Sequence, residues 1–202
     1  MDAYVSTLKM PVVLEHAGYP AKPSGIDLDT FNKLVVKYQD AIYRQAFYIL
    51  GEPRAAEDIA QDTFLAAYRG MSSFRGGSFK SWLLRIATNL CLDELRRDKR
   101  HPIIPLEPVN NDGDENESPS WMMDSGEMPE EAAERKEFWE NVQVCLSRLQ
   151  PKLRTAVTLV DLQGLDYAEA ASVLRISTGT LKSRLSRGRL KMKDVWIRKE
   201  AG

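Results

Sequence analysis

The chain has 202 residues, 43% of them hydrophobic, and its 28 basic and 29 acidic side chains leave a formal net charge of −1. That is ordinary for a soluble globular protein of one domain or two small ones, and no apolar run approaches the roughly 18 residues that cross a bilayer. An acid at position 2 and only a short apolar patch behind it speak against a secretory signal, so a cytoplasmic location is expected.

Residues 1–27 contain Pro11, Gly18, Pro20, Pro23 and Gly25 with little periodicity, and read as a flexible N-terminal extension. From Asp29 the pattern changes. Phe31, Leu34, Val35, Tyr38, Ile42, Ala46, Ile49 and Leu50 recur at steps of three and four, the apolar stripe of a long helix. Gly51 is placed to cap its C-terminus, and Pro53 suits the first turn of a second helix ending before Gly70. That helix should bury Ile59, Ala60, Phe64 and Ala67 and expose Glu57, Asp58, Gln61 and Asp62. After the loop "MSSFRGGSF", a third helix capped by Ser78 turns Phe79, Trp82, Leu83, Ile86, Ala87 and Leu90 inward and closes on "RRDKR". Cys91 and Cys145 lie in helical apolar patterns and read as two buried thiols.

Residues 101–129 are rich in proline, acids and small polar residues, which suits a flexible linker. Pro129 and "EEAAERKEFW" begin a further helix with acids in its first turn. Another follows Pro151 and stops at Gly164. Asp166 is placed to cap a short helix "YAEAASVL", "RIS" makes a tight turn, and Ser177 caps a last, basic helix. No strand is expected. The reading is all-α, with helical domains at 28–100 and 130–202.

Net charge conceals a partition. Residues 28–100 carry 12 basic and 9 acidic side chains, residues 101–140 carry 2 and 12, and residues 141–202 carry 12 and 5. Two basic blocks around an acidic one suit a polyanion contacted at two places. The segment "RISTGTLKSRLSRGRLKMK" holds seven Lys or Arg, and no acid appears between Glu169 and Asp194. Solvated helix faces usually interleave Glu with Lys or Arg at four-residue spacing, and a membrane-surface helix wants large aromatics on its buried side. Two short helices joined by a tight turn, the second strongly basic, form a helix-turn-helix signature. Leu181, Leu185, Gly188, Met192 and Val195 must pack inward, which sends Lys182, Ser183, Arg184, Ser186, Arg187 and Arg189 outward. Arginine forks onto guanine edges, lysine and serine hold phosphates, and the free N–H groups from Ser177 to Thr180 suit a phosphate oxygen.

At the other end, opening a duplex needs groups that capture unstacked bases. Phe74, in a glycine-bordered loop, is the stacking candidate. Phe79 and Trp82 lie on the apolar stripe and read as core. Asn89, Arg96, Arg97 and Arg100 supply polar groups. Asp58 and Asp62 share a helix face, but no histidine or further carboxylate converges on them, so neither catalytic chemistry nor a metal site is expected. His16 and His101 have no ligand-like neighbours. No cofactor is implied.

"DYAEAASVLRISTGTLKSRLSRGR" resembles the C-terminal helix-turn-helix of the extracytoplasmic-function sigma factors, the smallest bacterial sigma factors. "AAEDIAQDTFLAAYRG" followed by "SSFRGGSFKSWLLRIATNLCLDELRR" resembles region two of the same family. The resemblance covers residues 28–100 and 130–196. It implies a transcription initiation factor, not an enzyme, that binds core RNA polymerase at its clamp helices and flap and guides it to promoter DNA without inserting into a membrane. It implies an anti-sigma factor as a further partner, and involvement in stress responses. Carried over by position, Phe74, Arg85, Asn89, Arg96 and Arg97 meet the single strand of the minus-ten element. Thr180, Lys182, Ser183, Arg184, Arg187 and Arg189 face the major groove of the minus-thirty-five element. Asp58, Gln61 and Asp62 dock on polymerase. Two departures from the family pattern stand out: Arg175 occupies a turn position often held by a small residue, and Ala170 replaces a branched one. The rival reading is a two-domain helix-turn-helix regulator acting as a dimer without polymerase.

Overall fold

A computed structural model describes residues 27–100 and 129–200, all within helices or their short connections. In order they are α1 (Leu28–Leu50), α2 (Pro53–Arg69), a 3-10 turn at Met71–Ser73, α3 (Phe79–Arg100), α4 (Pro129–Ser147), α5 (Pro151–Val157), α6 (Tyr167–Leu174) and α7 (Thr178–Glu200). A π-helical turn, Thr158–Leu162, extends α5. The all-α expectation holds, with no strand among the described residues. Most of the expected extension and linker, residues 1–26 and 101–128, lies outside them.

Local chemistry sets the helix ends. The Asp27 carboxylate accepts the Thr30 N–H at 2.8 Å and starts α1. Gly51 ends α1 in the left-handed region at φ 85°, where a side chain would be strained. Glu52 accepts the N–H groups of Arg54 and Ala55, and Pro53 fills the first turn of α2, where its missing N–H costs nothing. Ser78 accepts the Ser81 N–H at 3.2 Å and opens α3.

Helices α1, α2 and α3 pack as a three-helix unit. Phe31, Ile42, Ile49, Phe64, Leu83 and Leu84 are fully buried, each contributing about 1.5–3 kcal/mol by leaving water. Within this core Gln45 donates to the Thr88 hydroxyl at 3.2 Å, tying α1 to α3. Cys91 is buried beside them as a free thiol, and its burial pushes its pKa up to about 12. Helices α4 to α7 form the second unit around Leu146, Leu159, Leu181 and Leu185. Here Gly188 is required by close approach: a Cβ on it would stand 2.7 Å from Val157 Cγ2, so α7 crosses α5 almost at backbone distance. The two units are not separate. Their apolar residues form one continuous core, and Tyr48 of α1 packs 6.0 Å from Trp139 of α4.

Candidate nucleic-acid interface

The basic surface is built by α6, its turn and α7. Asp166 accepts the Glu169 N–H at 2.8 Å while Glu169 reaches back to the Asp166 N–H, a reciprocal capping box that fixes the start of α6. The helix stops at Arg175, whose backbone sits at φ 52°, ψ 47°. It is the one non-glycine residue with positive φ among those described. A side chain in that region costs roughly 1–2 kcal/mol. The turn nevertheless satisfies the helix end, because the Ile176 N–H donates to Ala171 O at 3.0 Å. Ser177 then caps α7, accepting the Thr180 N–H at 3.1 Å and sharing a hydrogen bond with its hydroxyl.

Leu181 and Leu185 are buried and Gly188 lies against α5, so the opposite side of α7 faces water. Lys182, Ser183, Ser186 and Arg187 occupy that outer side, all exposed. Arg187 donates to the Ser183 carbonyl, one turn back, at 3.2 Å, which holds its guanidinium along the helix. Lys182 Nζ stands 5.9 Å from the centre of the Tyr167 ring. An open groove of about 570 Å³ runs between Tyr167, Lys182, Ser186, Arg189 and Lys193.

Two members of the sequence-selected set sit apart from this face. Arg184 is half-buried on one flank. Arg189 lies on the other and donates from Nε and Nη2 to both oxygens of Asp161, at 3.0 and 2.5 Å. This two-point pairing raises the guanidinium pKa further and directs the side chain back toward the π-helical turn. Arg189 therefore supports the face more than it extends it. Sequence reasoning missed Asp161, which lies 28 positions from its partner, and Tyr167, whose ring borders the groove. Neither carries a local signal.

In the first unit the selected residues are spread along α3 and its entry loop. Phe74 is half-buried and meets Phe79 edge-on at 5.4 Å and Trp82 at 5.3 Å. The loop aromatic expected to stand free is thus one of three mutually packed rings. Asn89 is exposed. Arg96 and Arg97 are exposed and paired within the helix with Asp93 and Glu94. Arg85 is half-buried, and its Nη2 donates to the Ser172 hydroxyl of α6 at 2.7 Å. Asp58 and Asp62 are exposed on the outer face of α2, with Gln61 half-buried between them. Among the described residues no three His, Cys, Asp or Glu side chains cluster as a metal site.

Comparison with known proteins accounts for this pairing of units. The Sigma-70 region 2 family matches residues 34–101, and the Sigma-70 region 4 family matches residues 139–192. The extracytoplasmic-function sigma factor SigW of Bacillus subtilis is 35% identical over 81% of this chain and 87% of its own length. The chain belongs to the extracytoplasmic-function sigma factors. SigM of Mycobacterium tuberculosis is similar at 35% identity over 82% of the chain and 76% of that protein. SigE of Mycolicibacterium smegmatis is 34% identical over 83% of the chain, which spans 62% of that relative's length. Two solved sigma factors share the fold: RpoE in complex with the anti-sigma factor NepR from Bartonella quintana, and CnrH in complex with the cytosolic domain of CnrY. The first has a TM-score of 0.64 at 24% identity, covering 83% of this chain and 97% of its own. The second has 0.59 at 23%, covering 85% and 90%. As a sigma factor the chain is an initiation factor for RNA polymerase, not an enzyme, and a free-standing regulator does not account for both matched regions.

Proposed function

We propose that this sigma factor attaches to core polymerase through the outer face of α2 and grips one promoter at two places. Helix α7 enters the major groove of the minus-thirty-five element with Lys182, Ser183 and Arg187 leading and Thr180 at its N-terminal end. Arg184 and Arg189 flank that contact. Helix α3 and its entry loop hold the melted minus-ten strand, with Asn89 reading a base edge, Arg85, Arg96 and Arg97 meeting phosphates, and Phe74 stacking once its ring leaves Phe79 and Trp82. Asp58, Gln61 and Asp62 form the polymerase-docking patch, and the flap is the second anchor, beside α4 to α7. An anti-sigma factor, of the kind that accompanies the two solved relatives, completes the partner set. No helix among the described residues is long and apolar enough to cross a membrane, and the reading places the protein in the cytoplasm, where polymerase is.

The observation that carries the proposal is the outer face of α7. It presents Lys182 and Arg187 exposed, with no acidic side chain on the helix between Thr178 and Asp194. Polyanion contact supplies the missing counter-charge, and arginine on a helix in a groove discriminates bases. Reconstitution with core polymerase on a promoter library, followed by sequencing of transcript starts, tests it. Starts should gather downstream of one recurring pair of motifs. Starts indistinguishable from those of core polymerase alone would reject the function.

A further inference from the structure

The two units meet through six side-chain hydrogen bonds, and several of their donors and acceptors have other work to do. Three run from the second unit to backbone carbonyls of α1. Gln143 Nε2 donates to Phe47 O at 3.0 Å, Arg154 Nη1 to Ile49 O at 2.5 Å, and Gln163 Nε2 to Ala41 O at 3.0 Å. The last four carbonyls of a helix lack intrahelical partners and carry its partial negative charge. Gln143 and Arg154 thus close on the end of α1 where acceptors are in surplus. The other three bonds join α3 to the second unit: Lys80 Nζ to Gln163 O at 2.7 Å, Ser81 Oγ to Glu169 Oε1 at 3.1 Å, and Arg85 Nη2 to Ser172 Oγ at 2.7 Å.

This closure is polar and incompletely satisfied. Burial opposes the charge of Lys80, whose pKa is lowered by desolvation first and by Arg44 second, and desolvation likewise lowers that of Arg154. Arg85 Nε, Gln143 Oε1 and Arg154 Nε are buried with no protein partner. Buried polar atoms left unpaired weigh against the arrangement that buries them. Most of the six bonds end on backbone carbonyls or hydroxyls that water can also serve. Interfaces of this kind inside one chain are the ones that open.

We infer that these six bonds are a latch that holds the free protein closed, and that closure withholds the α3 face around Arg85 from nucleic acid until polymerase separates the units. The geometry is direct: a guanidinium donating to Ser172, with α6 lying over it, is not open to a phosphate. Opening frees Arg85 and the entry to α3 together. The inference rests on the proposed role of Arg85 at the minus-ten strand for its consequence, but the latch itself does not.

The native thiols Cys91 and Cys145 are buried, so Lys37→Cys on α1 and Lys191→Cys on α7, both exposed positions, can carry a fluorescent donor–acceptor pair in the full chain. The latch is broken with Gln143→Ala, Gln163→Ala and Ser172→Ala together. Arg154 is left intact because it also holds Ser147 O and Leu149 O within its own unit. Energy transfer should be high in the free protein, fall in the triple variant at unchanged helicity, and fall to a common lower value for both when core polymerase is added. High transfer that persists in the triple variant, or in polymerase-bound protein, overturns the latch. So does free protein that already shows the polymerase-bound value. Co-elution with core polymerase is read separately. A chain that does not co-elute refutes the sigma-factor reading, while the comparison of free proteins still decides the latch. A triple variant that loses helicity is replaced by Ser172→Ala with Gln143→Ala, judged by the same fall in transfer.

Discussion

The two basic helices of this protein manage their charge in opposite ways. On α3, Arg96 and Arg97 are matched by Asp93 and Glu94 one turn away, and Arg85 is engaged with Ser172. On α7, Lys182 and Arg187 stand exposed on a helix whose acids are confined to its last turns, and the nearest carboxylate to its flank, Asp161, is taken by Arg189. The first helix is suited to a ligand held by shape, stacking and a few polar contacts. The second is suited to a duplex whose phosphates supply the counter-charge. A sigma factor needs both, because a melted strand and an intact duplex offer different handles.

The most forceful way to break the comparison is to remove the core beneath one unit and ask whether the other survives. Phe64→Ala should cost about 3–5 kcal/mol and Leu181→Ala about 2–5 kcal/mol, since both side chains are fully buried. Because one apolar core spans both units, each variant should lower a single thermal transition measured by circular dichroism. Two separated transitions would show that the units fold independently. A smaller change sharpens the division of labour. Arg187→Ala should weaken upstream promoter recognition by roughly 1–3 kcal/mol if the guanidinium reads a base. Contact with phosphate alone would instead lower affinity for all sequences alike and reduce the salt slope by about one.

Arg175→Gly probes the turn that separates the two helices of the C-terminal motif. Relieving a side chain from φ 52° should raise stability by about 1 kcal/mol in denaturant titration, with DNA binding unchanged. The smallest effect is in alkali. Burial, reinforced by Glu57 and Glu52, raises the Tyr43 hydroxyl from 10.0 to about 12. Between those values the folded chain keeps a proton that the unfolded chain has lost. The stability tied to Tyr43 is therefore intact below pH 10 and drains away as pH climbs toward 12. Tyr43→Phe should recover under about 1 kcal/mol near pH 10.5 relative to its effect at pH 7. Equal effects at the two pH values would contradict the assignment.

How far the sequence reveals all this depends on the range of each interaction. Ser177, Asp166 and the leucine period of α7 act within one or two turns, and the structure places the cap, the box and the buried stripe where the pattern puts them. Gly51, Pro53 and Ser78 are legible for the same reason. Phe74 is harder, because whether a loop aromatic stands free or joins Phe79 and Trp82 depends on the path of the whole loop. Arg189 looks like its neighbours until Asp161 is brought across from 28 residues away. The contacts between the units were least visible. Their acceptors on α1 are backbone carbonyls, which every residue possesses, so no side-chain pattern in α1 marks where Gln143, Arg154 and Gln163 will dock.

The account's central claim is that α7 and α3 hold the same promoter at two places with separable roles. Permanganate footprinting of open complexes, combined with upstream protection by holoenzyme, measures both at once. Lys182→Ala with Arg187→Ala should lose upstream protection while the promoter that is still bound shows the same reactive thymines. Asn89→Ala should keep upstream protection and lose thymine reactivity. Parallel loss of both signals in either variant would contradict the division and leave the two helices as one undivided binding surface.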